Sequence, residues 1–419
     1  MKIAIIGSGI SGLSSAWLLN KDHDITLFEK NDYLGGHSNT ALIEYDSKQI
    51  AVDTGFIVFN FRTYPNLKAF FEVLKVPIQK SNMSFGIKDL DNGFEYSGDS
   101  LSGLFAQKKN FFNLKFLKML KDILKFNKNA IKLVENGEDF KDKSLGEFID
   151  DLKLGEYFKN YYLFPMAGAI WSCPLDLIKN YPAKNFLQFF YNHGLLTILN
   201  QPQWYTVSGG SKEYVKKMSE SFADKIKLNC NIIASNQAEG GIILTCDQGK
   251  NYSFDHVIFA SHADQTHRII SDKTPLEEEI ISKVKYSDNI AVLHKDQNQM
   301  PKNKKAWASW IYLSKQKEQK VALSYWMNNL QNIDHQNPLF VTLNPIEKID
   351  QKDVFGEYKY QHPIFDAEAI DAQENLEKIQ GKRNIWFCGA WTKYGFHEDG
   401  LNSAINIAEK LGVKVPWKK

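Results

Sequence analysis

The sequence is poor in cysteine, carries almost no net charge and contains no long apolar run. Its four cysteines, Cys173, Cys230, Cys246 and Cys388, form no C-x-x-C pair, so we expect reduced cytosolic thiols rather than a zinc knuckle or a disulfide framework. No stretch reaches the roughly 18 apolar residues of a membrane span. With 51 basic and 49 acidic residues the net charge is +2, which gives no argument for nucleic-acid binding.

Sequence motifs of other enzyme classes are missing as well. There is no G-x-S-x-G nucleophile elbow, and no H-E-x-x-H motif or close histidine cluster that predicts a metal site. The apolar stretch Met1 to Leu19 is similar to a signal peptide, but a glycine motif within it explains it better, and we expect no targeting segment. Hydrophobic residues make up 43% and aromatic residues 13% of the chain, which is typical of a globular protein with a large core or a large planar ligand.

The first thirty residues combine a strand, a glycine motif, a helix and a second strand. Ile3–Ile6 is a short buried strand that leads into G-x-G-x-x-G at residues 7–12, and a helix follows. Ile25–Phe28 forms the next strand, and Glu29 comes directly after it. This arrangement is the dinucleotide-binding fingerprint.

Each part of the fingerprint has a physical role. Gly7 permits the tight turn, Gly9 lets the backbone approach a pyrophosphate, and Gly12 lets helix and strand pack closely. The free N–H groups at the start of the helix face the phosphates. Glu29 can accept hydrogen bonds from ribose hydroxyls and would repel a 2′-phosphate. The fingerprint therefore predicts FAD or NAD and excludes NADP.

Two further segments decide between these nucleotides. Gly35-Gly36-His37-Ser38 would let a second loop cross the cofactor, and Asp53-Thr54-Gly55-Phe56 follows another short strand. Here the chain resembles the flavin amine oxidase superfamily, which includes phytoene desaturases and protoporphyrinogen oxidases. The resemblance implies non-covalent FAD. Those proteins carry Arg after the glycine pair, where this chain has His37.

The far end of the chain fits the same resemblance. A strand at 384–388 ends at Gly389, and a helix that ends at Gly412 follows residues 391–404. In the superfamily this strand–helix unit closes the FAD site, and the helix dipole stabilises the anionic reduced flavin. The residues expected to bind FAD are Gly7, Ser8, Gly9, Ile10, Ser11, Gly12, Glu29, Lys30, Gly36, His37, Ser38, Gly55, Phe56, Ile232, Ala260, Gly389, Asp399, Gly400, Leu401 and Ala404.

A narrower resemblance covers nearly the whole chain. It is to bacterial NAD/FAD-binding, amine-oxidase-like proteins that are often encoded beside cyclopropane-fatty-acid synthases. This group implies a role in modifying unsaturated or cyclopropane-type fatty acyl chains. The matching stretches are Asp53–Asn60, Thr63–Asn66, Phe164–Pro174, Trp204–Tyr214, Phe259–Asp264, Asn289–Asp296, Ala306–Trp310, Tyr325–Gln331 and Trp386–Leu401.

The predicted fold class is α/β, and α+β overall. Because cofactor segments lie at both ends, the Rossmann-type FAD domain must be discontinuous, and we place it at 1–62, 205–285 and 366–419. Residues 63–204 and 286–365 would form an inserted substrate domain with a mixed sheet and helices. His262 to Asp264 is expected to cap the helix after the strand at Val257–Ala260, and a contact on the flavin side is the less favoured alternative.

Catalysis at a flavin requires little more than placing a C–H bond and excluding water. Amine oxidases have an aromatic pair that faces the flavin, and His397 holds the position of one member of that pair. They also tend to have a lysine that a water molecule bridges to flavin N5, and no such lysine is found on the corresponding strand at Asn289–His294. His397, with Tyr394 and Glu398, is therefore the candidate for proton transfer or substrate placement, although His397 equally fits a hydrogen bond that fixes the loop. Trp171 and Tyr162 lie in a stretch that could line an acyl tunnel, although core packing is preferred.

One basic segment stands apart. Residues 108–132 contain eight lysines and one acidic residue, Asp122, in the pattern of an amphipathic helix with a basic and an apolar face. It fits either a core-packing helix with solvated lysines or a helix on an anionic membrane.

The function expected from these features is an FAD-dependent desaturase or double-bond isomerase of fatty acyl chains. We expect the protein to be cytoplasmic and peripheral on the inner face of the membrane. We expect it to bind neither nucleic acid nor a metal ion, and the sequence does not indicate an oligomeric state. The rivals are a flavin amine oxidase, a non-catalytic FAD-binding partner of a lipid-modifying methyltransferase, and an NAD-only dehydrogenase.

Overall fold

The structure, a computed structural model, describes residues 1–137, 143–171, 178–197, 201–315 and 321–418. Cys173 and the end of the stretch Phe164–Pro174 lie outside the described residues. The three cysteines that are described, Cys230, Cys246 and Cys388, are free and buried, as expected of reduced thiols.

Twenty strands form the described sheets. In chain order they are β1 Lys2–Ile6, β2 Asp24–Phe28, β3 Thr40–Tyr45, β4 Lys48–Asp53, β5 Phe59–Asn60, β6 Ile78–Ser81, β7 Phe85–Asp89, β8 Glu95–Ser97, β9 Trp204–Val207, β10 Ile226–Lys227, β11 Ile232–Ala238, β12 Gly241–Cys246, β13 Asn251–Phe254, β14 His256–Phe259, β15 Lys285–His294, β16 Trp310–Ser314, β17 Ala322–Trp326, β18 Phe340–Leu343, β19 Val354–Ile364 and β20 Ile385–Phe387.

The described α-helices are α1 Ile10–Leu19, α2 Pro65–Val73, α3 Leu101–Leu104, α4 Leu114–Asn136, α5 Leu145–Asp151, α6 Glu156–Phe158, α7 Phe164–Trp171, α8 Ala183–Asn192, α9 Lys212–Ser219, α10 Ala263–Ile269, α11 Pro275–Ile281, α12 Met327–Gln331, α13 Ala367–Asn375 and α14 His397–Lys410. A π-turn at Lys159–Leu163 precedes α7. The short 3₁₀ turns are Lys108–Phe112, Glu220–Lys225, Gln297–Gln299, Lys304–Ala306, Gln351–Asp353, Leu376–Lys378, Lys382–Asn384 and Ala390–Thr392.

A five-stranded parallel sheet contains both ends of the chain. Its order is β10-β2-β1-β14-β20, so the first strand of the protein lies beside strands from the middle and, through β14, near the last strand. Ile3 and Ile5 pack on one face against α1 and α14, whereas Ala4 and Ile6 pack on the other face. This burial on both faces explains why β1 is a continuous apolar run, and the strands predicted at 3–6, 25–28 and 257–260 are confirmed.

The second large sheet has seven strands in the order β19-β15-β18-β17-β16-β7-β8. All neighbours are antiparallel except β16 and β7. The helices α4, α5, α7 and α8 contribute to the apolar core on this side. The mixed sheet and helices correspond to what was expected of the segments 63–204 and 286–365, while the domain limits themselves stay a prediction.

Candidate functional site

A cavity of about 530 Å³ lies between the two large sheets. On one side it is lined by residues that follow the carboxyl ends of β1, β2, β14 and β20, which is where open α/β sheets bind ligands. On the other side it is lined by residues of β15 to β19 and of the helices α7 and α8. The cavity therefore joins the predicted nucleotide site to the predicted substrate segments.

The glycine turn after β1 has the geometry that the fingerprint predicts. Gly7 has φ +102°, and a Cβ there would lie 2.9 Å from the carbonyl oxygen of Ala260. A Cβ on Gly12 would lie 1.8 Å from the carbonyl oxygen of Gly7, so helix and turn pack backbone to backbone. A Cβ on Gly9 would meet no protein atom within 4 Å. No side chain caps α1 after Gly9, so the first N–H groups of the helix are left for a ligand.

Glu29 is buried next to this turn. Its Oε2 accepts hydrogen bonds from the backbone N–H of Ser8 (3.0 Å) and from Ser8 Oγ (2.6 Å), and its Oε1 accepts one from the N–H of Asn31 (2.9 Å). An ionised carboxylate has about four acceptor positions. One position therefore remains for a donor such as a ribose hydroxyl.

A second loop crosses the glycine turn, as the glycine pair predicts. A Cβ on Gly36 would lie 3.3 Å from Gly9 Cα, so the two loops touch through their glycines. A Cβ on Gly55 would lie 2.1 Å from the carbonyl oxygen of His37, which places the segment after β4 against the same loop.

The N-terminus of α14 meets the N-terminus of α1 at this point. A Cβ on Gly400 would lie 2.8 Å from both Ile10 Cγ2 and Ser11 Oγ, so only a glycine allows this approach. The two ends of the chain therefore form one site, with two helix N-termini side by side. Such a pair favours an anionic ligand.

Most of the predicted residues line the cavity, and some do not. Those that line it are Gly7, Ser8, Gly9, Ile10, Ser11, Glu29, Lys30, Gly36, His37, Gly55, Phe56, Ile232, Ala260, Gly389, Tyr394 and His397. Those outside the lining are Gly12, Ser38, Asp399, Gly400, Leu401, Ala404 and Glu398. Gly12 packs against the turn at Gly7, and Gly400, Leu401 and Ala404 pack in the core around α1 and α14. Asp399 accepts a hydrogen bond from the N–H of Phe396 at the start of its own helix.

Glu398 does not lie where a proton-transfer group is needed. Its carboxylate accepts hydrogen bonds from the backbone N–H groups of Asn66 and Leu67 (both 2.9 Å) at the start of α2. The expectation that Glu398 acts on the substrate is therefore wrong. The side chain ties α14 to α2, because a carboxylate satisfies the free N–H groups of a helix N-terminus.

His397 is held firmly at the cavity wall. Its ring stacks on Phe56 with a centroid distance of 3.7 Å, and its Nε2 lies 2.9 Å from Ser38 Oγ and 3.1 Å from the hydroxyl of Tyr214. Burial lowers the pKa of His397 to about 3, so the imidazole is neutral at pH 7. These contacts favour a positioning role over proton transfer.

Two further histidines lie beside His37, namely His262 and His362, and sequence reasoning missed His362. The ring centroid of His37 is 5.3 Å from that of His362 and 6.2 Å from that of His262, and Tyr360 packs against it at 4.9 Å. Burial lowers the pKa of all three histidines, that of His362 to about 4. Tyr360 and His362 share one face of β19 through the two-residue period of a strand, a signal that could have indicated them. His262 is the N-cap residue of α10, as expected, and its carbonyl oxygen accepts a hydrogen bond from the N–H of Thr266 (2.9 Å), while its side chain forms no cap hydrogen bond.

The rest of the cavity is apolar and aromatic. We call this part the aromatic end. Its lining residues are Val58, Tyr64, Met83, Ala169, Ile170, Trp171, Phe189, His193, Leu195, Trp204, Ala291, Trp310, Tyr325 and Leu343. For Trp171 and Tyr162, core packing was the preferred expectation and an acyl tunnel the alternative. Trp171 both packs in the core and lines the cavity, whereas Tyr162 packs against the core and does not line the cavity. Of all described lining residues Glu29 is the one carboxylate, and no grouping suited to a metal ion occurs among the described residues.

Comparisons with known proteins agree with this architecture. A family model described as an NAD(P)-binding Rossmann-like domain matches residues 5–74. An uncharacterised protein of Methanocaldococcus jannaschii is 29% identical over 202 residues, a match that covers 43% of this chain and 43% of that protein. The match therefore spans less than half of that relative's length.

Solved structures are similar over almost the whole chain. A CLA-producing fatty acid isomerase from P. acnes has 14% identity and a TM-score of 0.69, with 98% of each chain covered. Cyclohexylamine oxidase from Brevibacterium oxydans has 13% identity and a TM-score of 0.70, covering 98% of this chain and 99% of that one. Reduced UDP-galactopyranose mutase has 15% identity and a TM-score of 0.65, covering 98% and 95%.

At these identities the likeness establishes the fold. The chain shares its overall fold with these structures, which confirms the predicted fold class and, at the level of the fold, agrees with the resemblance to the flavin amine oxidase superfamily. The narrower resemblance to proteins encoded beside cyclopropane-fatty-acid synthases stays a prediction.

Proposed function

We propose that this protein is an FAD-dependent oxidoreductase that acts on unsaturated or methylated fatty acyl chains, as a desaturase or a double-bond isomerase. The observation that carries the proposal is one continuous cavity with two different parts. One part is lined by the glycine turn, which suits a phosphate, and by the buried carboxylate of Glu29. The other part is the aromatic end, which has no acidic side chain among its described lining residues.

The residues present fit FAD. Gly9 leaves open space in front of the uncapped start of α1, which suits a pyrophosphate, and Glu29 keeps one acceptor position for a ribose hydroxyl. The segments at Gly36, Gly55 and Gly389 border the same cavity. When bound there, FAD supplies a hydride acceptor at N5 that can also return the hydride to a neighbouring carbon.

The aromatic end supports an acyl substrate over an amine. Trp171, Trp310 and Leu343 offer apolar surface that removes a hydrocarbon chain from water, at about 25 cal/mol per Å² of apolar surface buried. Burial lowers the pKa of His193 to about 4, so this side chain is also uncharged at pH 7. A cationic amine would find no carboxylate among the described residues of this end. The name of the similar fatty acid isomerase supports the same substrate class.

The protein's own contribution is then placement and exclusion of water. The aromatic lining keeps the reacting C–H bond dry, and Phe189 stacks on His193 (3.8 Å) and on Phe396 (5.2 Å) to form a rigid wall. His397 is neutral and doubly hydrogen-bonded, so it fixes the loop that follows β20. Hydride removal and return, as in isomerisation, needs no acid or base. Desaturation also releases one proton, which the neutral imidazole of His193 in the cavity lining can accept.

Anaerobic mixing of the holoprotein with a fatty acyl panel tests the proposal. The panel contains oleate, linoleate and phospholipids that carry them, and flavin absorbance near 450 nm and product double bonds are followed together. We expect flavin bleaching for desaturation, or moved double bonds without net bleaching for isomerisation. Flavin reduction by putrescine or cyclohexylamine with peroxide release in air would instead establish an amine oxidase. A flavin that no lipid or amine alters, together with unchanged double bonds in every lipid of the panel, would favour a non-catalytic role.

Ala291 provides a prediction about substrate fit. Its side chain faces the cavity from β15, so Ala291→Phe is expected to fill part of the aromatic end and to lower kcat/KM for long acyl chains by roughly tenfold or more, while FAD content stays unchanged. Ile290, its neighbour on the opposite face of the strand, is 45% exposed. Ile290→Phe is the matched control and is expected to keep full activity. Equal activity of the two variants would show that this part of the cavity does not hold the substrate.

His397→Phe separates a positioning role from proton transfer. The variant keeps a ring against Phe56 and loses the hydrogen bonds to Ser38 and Tyr214. We expect normal FAD content, a turnover roughly tenfold lower and an unchanged pH profile, because the imidazole is already neutral. Tyr214→Phe, which removes one partner only, is expected to cause a smaller loss in the same direction. Full turnover of His397→Phe would remove His397 from the mechanism.

A further inference from the structure

The basic segment of the chain packs on the protein core rather than lying free. Phe116, Met119, Phe126 and Ala130 of α4 are fully buried in the core around the seven-stranded sheet. The apolar face predicted for this helix is therefore used for folding. The side chains of α4 that remain exposed include Leu117 and Leu124, and a contact of residues 108–132 with an anionic membrane stays a prediction.

A smaller apolar surface remains exposed where α4 begins. We call it the α3–α4 corner; it consists of α3, the turn Lys108–Phe112 and the first turn of α4. Phe112 is 89%, Leu114 80%, Leu101 76% and Phe111 53% exposed. Clusters of exposed apolar residues of this kind mark binding surfaces, because each side chain would otherwise be buried or replaced.

Aromatic packing holds the corner in place. The ring of Phe111 stacks on Phe105 at 4.0 Å, and Phe105 contacts the buried ring of Phe116 at 5.9 Å. Asn113 caps α4 by accepting hydrogen bonds from the N–H groups of Lys115 and Phe116. Phe112 and Leu114 therefore project from a fixed turn and are not the ends of a loose loop.

The charge around the corner is mainly positive, with the exposed Asp99 two residues before Leu101. Residues 101–121 contain five lysines, Lys108, Lys109, Lys115, Lys118 and Lys121, and no acidic residue. All five are exposed. Lys118 pairs with Asp122, so its charge is partly compensated. Exposed phenylalanine and leucine among lysines complement a surface that is negatively charged outside and apolar beneath, as an anionic bilayer is.

We propose that the α3–α4 corner docks on an anionic lipid bilayer, with Phe112, Leu114 and Leu101 inserted at the interface and Lys108, Lys109 and Lys115 at the lipid phosphates. The contact is peripheral, and no helix of the described part of the chain has the length and apolar character to cross a bilayer. The proposal goes beyond the proposed reaction and does not depend on it.

Flotation of the full-length protein with vesicles tests the docking. We compare vesicles of phosphatidylcholine alone with phosphatidylcholine vesicles that contain about 30 mol% of the anionic lipid phosphatidylglycerol. We expect binding to the anionic vesicles only. Phe112→Ser/Leu114→Ser is expected to lower the partition coefficient at least about tenfold, and Lys108→Gln/Lys109→Gln/Lys115→Gln roughly fivefold per lysine at low salt.

Matched variants control for exposure and charge elsewhere on the protein. Leu42 is 61% exposed on β3, and Lys250, Lys382 and Lys414 are exposed far from the corner in sequence. Leu42→Ser and the triple Lys→Gln variant at those positions are expected to bind as the unchanged protein does. Circular dichroism verifies that every variant is folded.

Three outcomes would overturn the proposal. These are equal flotation with both vesicle types, no flotation with either, and unchanged flotation of the Phe112→Ser/Leu114→Ser variant. Sedimentation at several concentrations identifies the other occupant. If the unchanged protein forms a dimer and binds no vesicles, and the Phe112→Ser/Leu114→Ser variant is a monomer, the corner is the contact with a second copy of the chain.

Discussion

Gly9→Ala is expected to leave the protein folded and to weaken FAD binding, whereas Gly12→Ala, in the same turn, is expected to prevent stable folding. The two glycines differ only in what surrounds them. A methyl group on Gly9 would meet no protein atom within 4 Å, and Gly9 has φ −67° and ψ −177°, which alanine adopts readily. Its methyl group would occupy the space in front of the start of α1.

The expected magnitudes follow from these contacts. For Gly9→Ala the free energy of unfolding without FAD should change by less than about 0.5 kcal/mol. The dissociation constant of FAD should rise about 10- to 100-fold, since the loss of one charged hydrogen bond costs about 1.5–3 kcal/mol. For Gly12→Ala a Cβ would lie 1.8 Å from a backbone oxygen, a contact that only separation of helix and turn can relieve. A loss above about 4 kcal/mol is expected.

Thermal melting of the apoprotein and titration with FAD measure both effects. Gly98→Ala is the matched control, because the nearest atom to a Cβ at Gly98 is 3.8 Å away and the site is exposed. This variant should melt and bind FAD as the unchanged protein does. Unchanged FAD affinity of Gly9→Ala would show that the turn does not hold the phosphates. A Gly12→Ala variant with an unchanged melting temperature would contradict the close packing of α1 on the turn.

Acidification from pH 7.5 to 5.5 is expected to lower the free energy of unfolding of the apoprotein by roughly 3 kcal/mol. Burial lowers the pKa of His193, His294 and His362 to about 4 and that of His397 to about 3. In the unfolded chain these histidines take up protons near pH 6.5, and in the folded protein they do not. Their stabilising contribution is therefore present above pH 6.5 and is lost as the pH falls towards the folded pKa values.

Two buried carboxyl groups act in the opposite direction. Burial raises the pKa of Asp53 to about 6 and that of Asp399 to about 7, so both gain a proton in the folded state before the unfolded chain does. At pH 5.5 each histidine removes about 1.4 kcal/mol, and the two carboxyl groups return about 3 kcal/mol together. The four histidines together remove more than the two carboxyl groups return, so stability falls.

Urea unfolding at a series of pH values measures this dependence. The slope of the unfolding free energy against pH reports how many more protons the unfolded chain binds than the folded protein. His294→Gln is expected to lower this number by up to about one between pH 5.5 and 6.5, because His294 is fully buried and its Nε2 lies against Thr342. A stability that is flat or rises on acidification would show that the buried histidines are not held neutral by the fold.

The cofactor half of the site could be predicted because its parts are local in the chain. Strand, glycine turn, helix and Glu29 follow one another within thirty residues, and each glycine has a role set by its immediate neighbours. The prediction was less accurate at the other end. Asp399, Gly400, Leu401 and Ala404 lie near the site as expected, yet they pack and cap rather than line the cavity.

The misassigned role of Glu398 and the unpredicted grouping of histidines around His37 share one cause, because in both cases the partners are distant in sequence. Glu398 bonds to the backbone of Asn66 and Leu67, and His37 meets His262 and His362 from two other segments. No local pattern contains such pairs. The spacing of the lysines predicted the basic face of α4. The apolar side chains that stay exposed beside those lysines are decided by the packing of the helix against the core.

Chain order alone was sufficient for the Rossmann fingerprint and for the fold class. It was sufficient because short-range sterics and hydrogen bonds dictate a tight turn and the start of a helix. Folding in three dimensions decided the neutral histidines, the uncharged aromatic end and the exposed α3–α4 corner. Burial is a property of neighbours brought together from distant segments, and burial sets both the charge state of a side chain and the surface that is left for a partner.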